Sequence, residues 1–322
     1  MGKYVVRRLL QMVPILFGAT LLIFMVIKMA PGDPFSAMID PRMDPRKIEE
    51  LRRLYCLDCP LPLQYWNWLK QILQGDLGTS IRFKTSVSTM ILDRLGPTLT
   101  LGIASELLVF LFGIPLGILA AVKKDSWLDY LTTGLAFAGL SIPAFFFGLL
   151  LIKGFALGSP FKLLPSSHYL TAGADLTGVD YLVDIGRHLI LPALALGITG
   201  VAGLMRYVRT SMLEVLKQDY VRTARAKGLS DKVVIYKHAL RNALMPVITI
   251  LGLDLPALVG GAIITESIFI WPGIGRMTYT ALLERDYPVL MALNLMFALL
   301  TMLGSLLADL GYALVDPRIR YD

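Results

Sequence analysis

The chain has 322 residues, of which 55% are hydrophobic and only 17% are charged, with a formal net charge of +7. Soluble domains carry about 25% charged residues, so this composition excludes an ordinary soluble protein. Several uncharged apolar stretches of about 20 residues are long enough to cross a hydrocarbon core about 30 Å thick. We therefore expect an all-α integral membrane protein, in which the excess of Lys and Arg reports orientation in the membrane rather than nucleic-acid binding.

The first apolar stretch, Leu9 to Ile27, follows Lys3, Arg7 and Arg8. Positive residues before an apolar run predict that the N-terminus lies in the cytoplasm. A cleaved signal peptide would have an apolar core of only about 7 to 15 residues. Residues 1–29 are therefore predicted to be a cytoplasmic N-terminus and a retained first transmembrane helix.

Residues 30–96 are mixed in character and are predicted to form an extracytoplasmic subdomain of short helices and turns. Its aromatic residues Tyr65, Trp66 and Trp68 suit a position at the membrane surface. Cys56 and Cys59 also lie here, in a compartment that permits disulfides. A local disulfide is our first interpretation of this pair, with free thiols, and more distantly a metal ligand pair, as alternatives.

Residues 97–315 are predicted to be a transmembrane core of five helices, and residues 316–322 a cytoplasmic tail. A second outer loop is expected at 153–187. The predicted spans of the core are Pro97 to Val122, Leu128 to Ile152, Leu189 to Met205, Ala243 to Thr265 and Val289 to Val315. The density of Lys and Arg favours this topology of six spans with both termini in the cytoplasm.

The most strongly charged segment, 206–242, separates two of these spans. Its inner part is predicted to be a helix from Tyr220 to Lys227, with Asp219 as the N-cap and Gly228 ending it in a left-handed conformation. Val221, Ala224 and Gly228 fall on one narrow face. Positive charge surrounds that face, from Arg222, Arg225 and Lys227. The segment is predicted to enter a groove with an acidic rim on a partner, and a solvated linker is the alternative.

Polar residues inside spans are costly and usually face a bundle interior or an aqueous cavity. The candidates for a translocation pathway are Glu106, Ser141, Asp254 and Asn294. Hydrogen bonding between helices is the alternative role for each. Asp309, deep in the last span, is expected to pair with an arginine of a loop.

Enzyme signatures are missing from the sequence. There is no Gly-x-x-x-x-Gly-Lys-Ser/Thr phosphate loop, no His-Glu-x-x-His and no Gly-x-Ser-x-Gly. The three histidines, His168, His188 and His238, are dispersed. We predict no catalytic residue, no metal site and no ATP-hydrolysing activity in this chain.

The charged segment carries a family resemblance. The run from Asp219 to Leu229, followed by His238 to Ala243 and Pro246, resembles the cytoplasmic coupling loop of the dipeptide and oligopeptide branch of ABC importer permeases. The wider superfamily has Glu-Ala-Ala where this chain has Arg222-Thr223-Ala224, a departure typical of the peptide branch. Further shared features are Pro31 to Pro34, Gly75 to Ser80, Glu266 to Gly275, Arg285 to Pro288 and Arg318 to Arg320.

The resemblance implies a type I ABC importer permease fold in a prokaryotic inner membrane. It also implies that the loop couples the chain to ATPase subunits through Asp219, Tyr220, Val221, Arg222, Thr223, Ala224, Arg225, Ala226, Lys227 and Gly228. The implied partners are a second homologous permease subunit, two cytoplasmic ATPases and an extracytoplasmic solute-binding protein. ATP and Mg would be bound by the ATPases, with no cofactor in this chain.

Di- and oligopeptides are the solutes that the resemblance implies. Relatives in this branch also import nickel chelates, glutathione and oligosaccharides, so these remain alternatives. A secondary transporter driven by an ion gradient through Glu106 and Asp254 is the competing class; it predicts transport by this chain alone and internal sequence repeats.

Overall fold

A computed structural model of the chain describes residues 2–29, 45–54, 56–156, 161, 163–244, 258 and 262–315. Across these residues the regular structure is helical, and extended pairing is limited to two isolated bridges, Thr79 with Ser86 and Ala156 with Leu164. The described part of the chain therefore has the all-α architecture that the composition predicts.

The N-terminal helices pack on one another through aromatic side chains. Helix α1 spans Gly2–Met29, α2 spans Pro45–Leu54 and α3 spans Leu61–Leu73. The Tyr65 ring of α3 meets the Phe24 ring of α1 edge to face, with centroids 5.4 Å apart, and the Tyr65 and Thr20 hydroxyls lie 2.9 Å apart. Between α2 and α3, Cys56 and Cys59 form a disulfide with Cα atoms 5.1 Å apart. The aromatic group thus anchors α3 to the first membrane helix.

The centre of the protein is the pair of long helices α4 (Val87–Val122, 36 residues) and α7 (Gly178–Val215, 38 residues). A Cβ on Gly117 of α4 would lie 2.7 Å from the Met205 carbonyl oxygen and from Val208 Cβ, both on α7. Val208 is fully buried at this contact. No hydrophobic driving force brings helices together in lipid, so they associate through close packing, which small residues permit. Gly117 therefore permits a close approach of the two helices.

Both long helices extend beyond the spans predicted from hydropathy. Helix α4 begins ten residues before Pro97, and α7 begins before Leu189 and ends after Met205. The added turns contain charged residues. The charges exclude these turns from a hydropathy window for a membrane span, but they do not prevent helix formation. At about 1.5 Å per residue, α7 is about 57 Å long, nearly twice the thickness of the hydrocarbon core.

The predicted third span is broken. Helix α5 (Trp127–Ser141) and helix α6 (Ala144–Phe155) are bent by 103° relative to each other. Pro143 stands at the break, and Ile142 before it is extended, with φ −86° and ψ 121°. A proline disfavours the helical conformation of the residue before it and lacks an N–H for the helical ladder. The predicted span from Leu128 to Ile152 therefore consists of two helices that meet at Ile142 and Pro143.

After α7 the chain forms a compact helical connection. It consists of α8 (Asp219–Ala226), α9 (Asp231–Val233), a π-helix π1 (Val234–Ala239) and α10 (Leu240–Ala243). Ser230 stands at the N-cap of α9. The Ser211 hydroxyl of α7 donates to the Ala243 carbonyl at 3.0 Å, which closes the connection back onto α7.

The C-terminal part contains α11 (Ile263–Ile268), α12 (Ile274–Leu283) and α13 (Tyr287–Val315). Helix α13 packs along α1, where Asp309 lies 2.9 Å from Arg8 and accepts a hydrogen bond from the Tyr4 hydroxyl at 2.9 Å. Asp309 therefore pairs with an arginine of the first helix, where we expected an arginine of a loop. The reason is that α1 runs beside α13, so the pairing is made between helices.

Four of the described helices, α1, α4, α7 and α13, contain stretches long and apolar enough to cross a membrane, and the bent pair α5 and α6 makes a fifth if counted as one span. These correspond to five of the six predicted spans. The remaining span, Ala243 to Thr265, lies largely outside the described residues.

Candidate functional site

Helix α8 forms the centre of the predicted coupling segment. Gln218, which is extended with φ −71° and ψ 148°, stands at its N-cap, and Asp219 is the first helical residue. The prediction of Asp219 as the N-cap is therefore wrong by one residue, because an N-cap needs a non-helical backbone. The other end agrees with the prediction. Gly228 adopts φ +78°, the left-handed conformation that commonly follows a helix.

The narrow face of α8 points into the chain itself. Val221 is completely buried and Ala224 is 7% exposed; both pack against Val234 of π1, beside Val215 and Leu216. We expected this face to enter a groove on a partner, but Val221 and Ala224 are already covered by the chain itself, and of the three predicted residues Gly228 is the exposed one. The small residues serve to seat α8 closely on π1. Val221 and Ala224 therefore support the segment rather than form its outer surface.

The outer surface of α8, which we call the basic face, is formed by Tyr220, Arg222, Thr223, Arg225, Ala226 and Lys227. Arg222 lies 3.6 Å from Asp219 with its side chain 77% exposed, and Arg225 lies 3.5 Å from Asp231. Exposed ion pairs of this kind contribute little, about 0 to 1 kcal/mol each. The guanidinium groups can therefore exchange these acids for the acids of a partner at little cost.

A buried carboxyl organises the turn between α11 and α12. Glu266 is fully buried, and it accepts hydrogen bonds from the Thr98 hydroxyl at 3.1 Å and from the Arg276 N–H at 2.9 Å. A Cβ at Gly273 would collide with its carboxyl group, so only glycine fits there. Burial raises the pKa of Glu266, and the hydrogen bonds oppose that shift.

The same turn is tied to α4. The Ile274 N–H donates to the Thr98 hydroxyl at 2.7 Å, and the Trp271 indole donates to the Pro97 carbonyl at 2.9 Å. Trp271 is completely buried. The segment from Glu266 to Gly275, which the sequence marks by resemblance alone, is thus a clamp that fixes α11 and α12 to the start of the membrane part of α4.

Two sequence features that are about 200 residues apart meet at Asp286, which is 1% exposed. Its carboxylate accepts a hydrogen bond from the Ser80 hydroxyl and another from the Ile81 N–H at 3.1 Å. Ser80 ends the Gly75 to Ser80 feature, and Asp286 belongs to the Arg285 to Pro288 feature. The structure therefore explains both as the two halves of one buried junction.

Sequence reasoning missed the ion pair between Asp129 on α5 and Arg209 on α7. The guanidinium Nε and Nη2 donate to the two carboxylate oxygens at 2.7 and 2.8 Å, and the Asp129 side chain is 3% exposed. The carboxylate also accepts from the Asp125 N–H at 3.1 Å and the Thr133 hydroxyl at 3.2 Å. The available signals were Asp129 just after the start of the predicted span Leu128 to Ile152 and Arg209 just after the end of the span Leu189 to Met205, positions that hydropathy analysis treats as boundaries.

The pathway candidates do not converge. Glu106 lines a cavity of about 450 Å³ between α4 and α7, together with Glu266 and Ser105. Ser141 is exposed and donates to the Phe137 carbonyl of its own helix, and Asn294 likewise donates to the Leu290 carbonyl. Neither lines the cavity, and Asp254 lies outside the described residues. Of the four candidates, Glu106 is the one that the structure brings to a cavity.

The histidines have local structural contacts. His188 is buried with Nδ1 2.9 Å from the Asp184 carbonyl oxygen, and the His168 N–H donates to the Phe269 carbonyl at 2.9 Å. The His238 carbonyl accepts from the Asn242 amide. In the described residues, no three His, Cys, Asp or Glu side chains are grouped so that they could hold a metal ion.

Two family models match the chain. Residues 113–321 match the binding-protein-dependent transport system inner membrane component, and residues 1–102 match the N-terminal part of such membrane components. The chain belongs to this family. It is thus a permease component of a binding-protein-dependent ABC importer, located in the inner membrane.

Relatives match this permease from end to end. The oligopeptide transport system permease protein AppB of Bacillus subtilis is 45% identical over 323 aligned residues, which cover all of both chains. The glutathione transport system permease protein GsiC of Escherichia coli is 41% identical over 321 aligned residues, again covering all of both chains.

A solved structure supports the fold of the permease. A chain of the MetNI methionine ABC transporter, in an inward-facing conformation, superimposes with a TM-score of 0.56 at 16% identity. The match covers 71% of this permease and 97% of the MetNI chain. The core of the permease therefore has the type I ABC importer fold.

Proposed function

We propose that this permease forms half of the translocation pathway of an ATP-driven importer for di- and oligopeptides. The observation that carries this proposal is the full-length, 45% identical relationship to an oligopeptide permease. The exposed basic face of α8 supports it, because an importer without an ATPase domain of its own needs a docking surface for one.

The proposed topology has six spans with both termini in the cytoplasm. Lys3, Arg7 and Arg8 lie in the first two turns of α1, before its uncharged run, and the basic face of α8 lies past the C-terminal end of α7, so both would face the cytoplasm. The Cys56–Cys59 disulfide then lies outside, where disulfides persist.

In the proposed assembly, a second homologous permease completes the pathway and an external binding protein delivers the solute. Two cytoplasmic ATPases bind ATP and Mg and supply hydrolysis. The basic face of α8 docks on one ATPase, and α8 transmits its displacement to α7 through Val221, Val215 and Leu216. The permease itself performs no chemical step.

The alternative solutes are glutathione, nickel chelates and oligosaccharides, imported by the same machinery. Glutathione is favoured among these because GsiC is 41% identical over the whole length. An ion-coupled secondary transporter is the less supported alternative, since it leaves the basic face without a role.

The experiment is ATP-dependent uptake into proteoliposomes that contain the permease, its partner permease, the ATPases and the binding protein. Labelled dipeptide, labelled oligopeptide and labelled glutathione are compared. The coupling variant is Ala226→Trp, on the exposed basic face, rather than a change at Gly228, where any side chain would strain a backbone at φ +78°. The matched control is Ala172→Trp, in an exposed turn before α7.

We expect the wild type and Ala172→Trp to import peptides, and Ala226→Trp to lose uptake while the assembled complex still forms. Import of glutathione without peptides would reject the peptide assignment and keep the importer. Uptake by the permease alone without ATP would reject the importer and favour the secondary transporter.

A further inference from the structure

Helix α7 has two different faces. One face, with Leu204, Met205, Val208 and Met212, is buried against α4 and its neighbours. Each residue of a helix is rotated by about 100° from the one before it, and on this basis the side chains of the opposite face lie within an arc of about 100° around the helix axis. It carries Thr199, Gly203, Arg206, Tyr207, Thr210 and Glu214. We call it the polar face; Arg206, Tyr207, Thr210 and Glu214 on it are exposed.

Two cavities open along the polar face. The cavity that contains Glu106 is bounded on α7 by Leu196, Gly197, Thr199 and Gly200. A second cavity of about 430 Å³ is lined by Gly203, Arg206, Tyr207, Thr210, Ser211 and Glu214. Gly200 and Gly203 are separated by less than one helical turn, about 4.5 Å along the axis. The cavities therefore follow one another along α7 toward the α8 end.

The chemistry of the polar face excludes lipid and disfavours a tight protein contact. Charged groups of membrane helices face water-filled cavities or the bundle interior. Permanent subunit interfaces have apolar cores, whereas the lining of the second cavity consists of glycine and polar side chains. Within the described residues Arg206 and Glu214 have no ion-pair partner, unlike Arg209 one turn away, which pairs with Asp129. A solvated solute is the occupant that fits such a lining.

We propose that the polar face of α7 lines the aqueous route by which the solute passes from the Glu106 cavity to the cytoplasm. Arg206 and Glu214 are its ionic contact points. They stand eight residues apart, about 12 Å along the axis. An extended peptide spans about 3.3 to 3.6 Å per residue, so a peptide of three to four residues can contact both with its carboxylate and its ammonium group. This inference rests on the proposed function. It specifies which surface of the permease contacts the peptide and which charges of the peptide are bound.

The test is thiol accessibility in the assembled transporter in proteoliposomes. Thr199→Cys and Thr210→Cys on the polar face are treated with a charged, membrane-impermeant methanethiosulfonate from both sides. The matched control is Leu194→Cys, on the opposite side of the same helix and 37% exposed. The native cysteines are joined in a disulfide and add no thiol.

We expect both polar-face cysteines to react at least about tenfold faster than Leu194→Cys, and saturating tripeptide with binding protein and ATP to slow the reaction. Cysteines as unreactive as Leu194→Cys would overturn the aqueous route, because the face would then be covered by protein or lipid. This readout does not depend on uptake, so its failure is distinguishable from failure of the peptide assignment.

The ionic contact is tested separately by the kinetics of peptide uptake. Arg206→Gln should raise the KM about threefold to fivefold, the effect of losing an exposed ionic contact. The control is Arg187→Gln, an exposed arginine on the other side of α7. Equal KM values for the two variants would overturn the contact at Arg206.

Discussion

The ion pair between Asp129 and Arg209 joins α5 to the end of α7 that leads into the predicted coupling segment. Removing one member of a buried pair typically costs about 3 to 5 kcal/mol, because the other charge is left without a partner. The two members are not equivalent, since the Asp129 side chain is 3% exposed and the Arg209 side chain is 25% exposed. An aspartate left unpaired would stay out of contact with water, whereas an arginine left unpaired would be solvated.

We therefore predict an asymmetric response. Arg209→Gln should lower the free energy of unfolding by about 3 kcal/mol, at the lower end of the range because Thr133 and the Asp125 N–H still bond the carboxylate. Asp129→Asn should lower it by about 1.5 kcal/mol, the lower end of the range for a hydrogen bond to a charged group, because Arg209 can still reach water. The double variant should be more stable than Arg209→Gln alone, since no buried charge is left.

The assay is the free energy of unfolding of the purified permease, from SDS titration in mixed micelles for all four proteins of the double-mutant cycle. An effect of Asp129→Asn that equals or exceeds that of Arg209→Gln would refute the reasoning from burial. A double variant less stable than Arg209→Gln would refute the argument that an unpaired carboxylate is the source of the loss.

The remaining predictions concern α8 and the Glu266 clamp. Val221→Ala should lower the free energy of unfolding by about 1.5 kcal/mol, since it removes two buried methyl groups at about 0.8 kcal/mol each. Thr223→Ala on the basic face should change the free energy of unfolding by less than about 0.5 kcal/mol. Equal losses of the two variants in SDS titration would contradict the assignment of the two faces. Gly273→Ala should cost about 1 to 3 kcal/mol by pushing against the Glu266 carboxyl, whereas Gly134→Ala, where a Cβ meets nothing within 4 Å, should be neutral or stabilising by the same measurement. Burial raises the pKa of Glu266 in the folded state above its ordinary value of 4.5 in the unfolded state. Protonation of Glu266 therefore stabilises the folded state fully below pH 4.5, and this stabilisation is lost as the pH rises through the raised pKa of the folded state. Glu266→Gln should therefore flatten the fall in unfolding free energy from pH 4.5 upward, and an unchanged slope would show that Glu266 does not cause it.

The sequence was most informative where a single local rule decides the structure. An uncharged run after basic residues predicted α1, and a glycine after a helical pattern predicted the left-handed end of α8 at Gly228. It was less informative where helices leave the membrane. The added turns of α4 and α7 carry charges such as Asp93 and Arg187, so hydropathy ended the spans at the membrane boundary while the helices continue.

The candidate site shows a similar division. The charge and the family resemblance of segment 206–242 predict a coupling role, which stays a prediction. The inward direction of Val221 and Ala224 depends on π1, whose packing is a tertiary contact that spacing cannot reveal. The junction of Ser80 with Asp286 and the bonds of Glu266 with Thr98 join residues more than 150 positions apart. A single sequence marks such residues separately and contains no signal that they meet.

The length of α7 has a mechanical consequence. In the proposed topology, one helix of about 57 Å runs from the second outer loop to the predicted coupling segment, so a rigid tilt of this helix would move both of its ends. A tilt of about 5° around one end displaces the other by about 5 Å, close to the 5.4 Å pitch of a helix. In the proposed assembly, a small displacement of α8 would therefore reach the far side of the membrane without any relay of rearranging side chains.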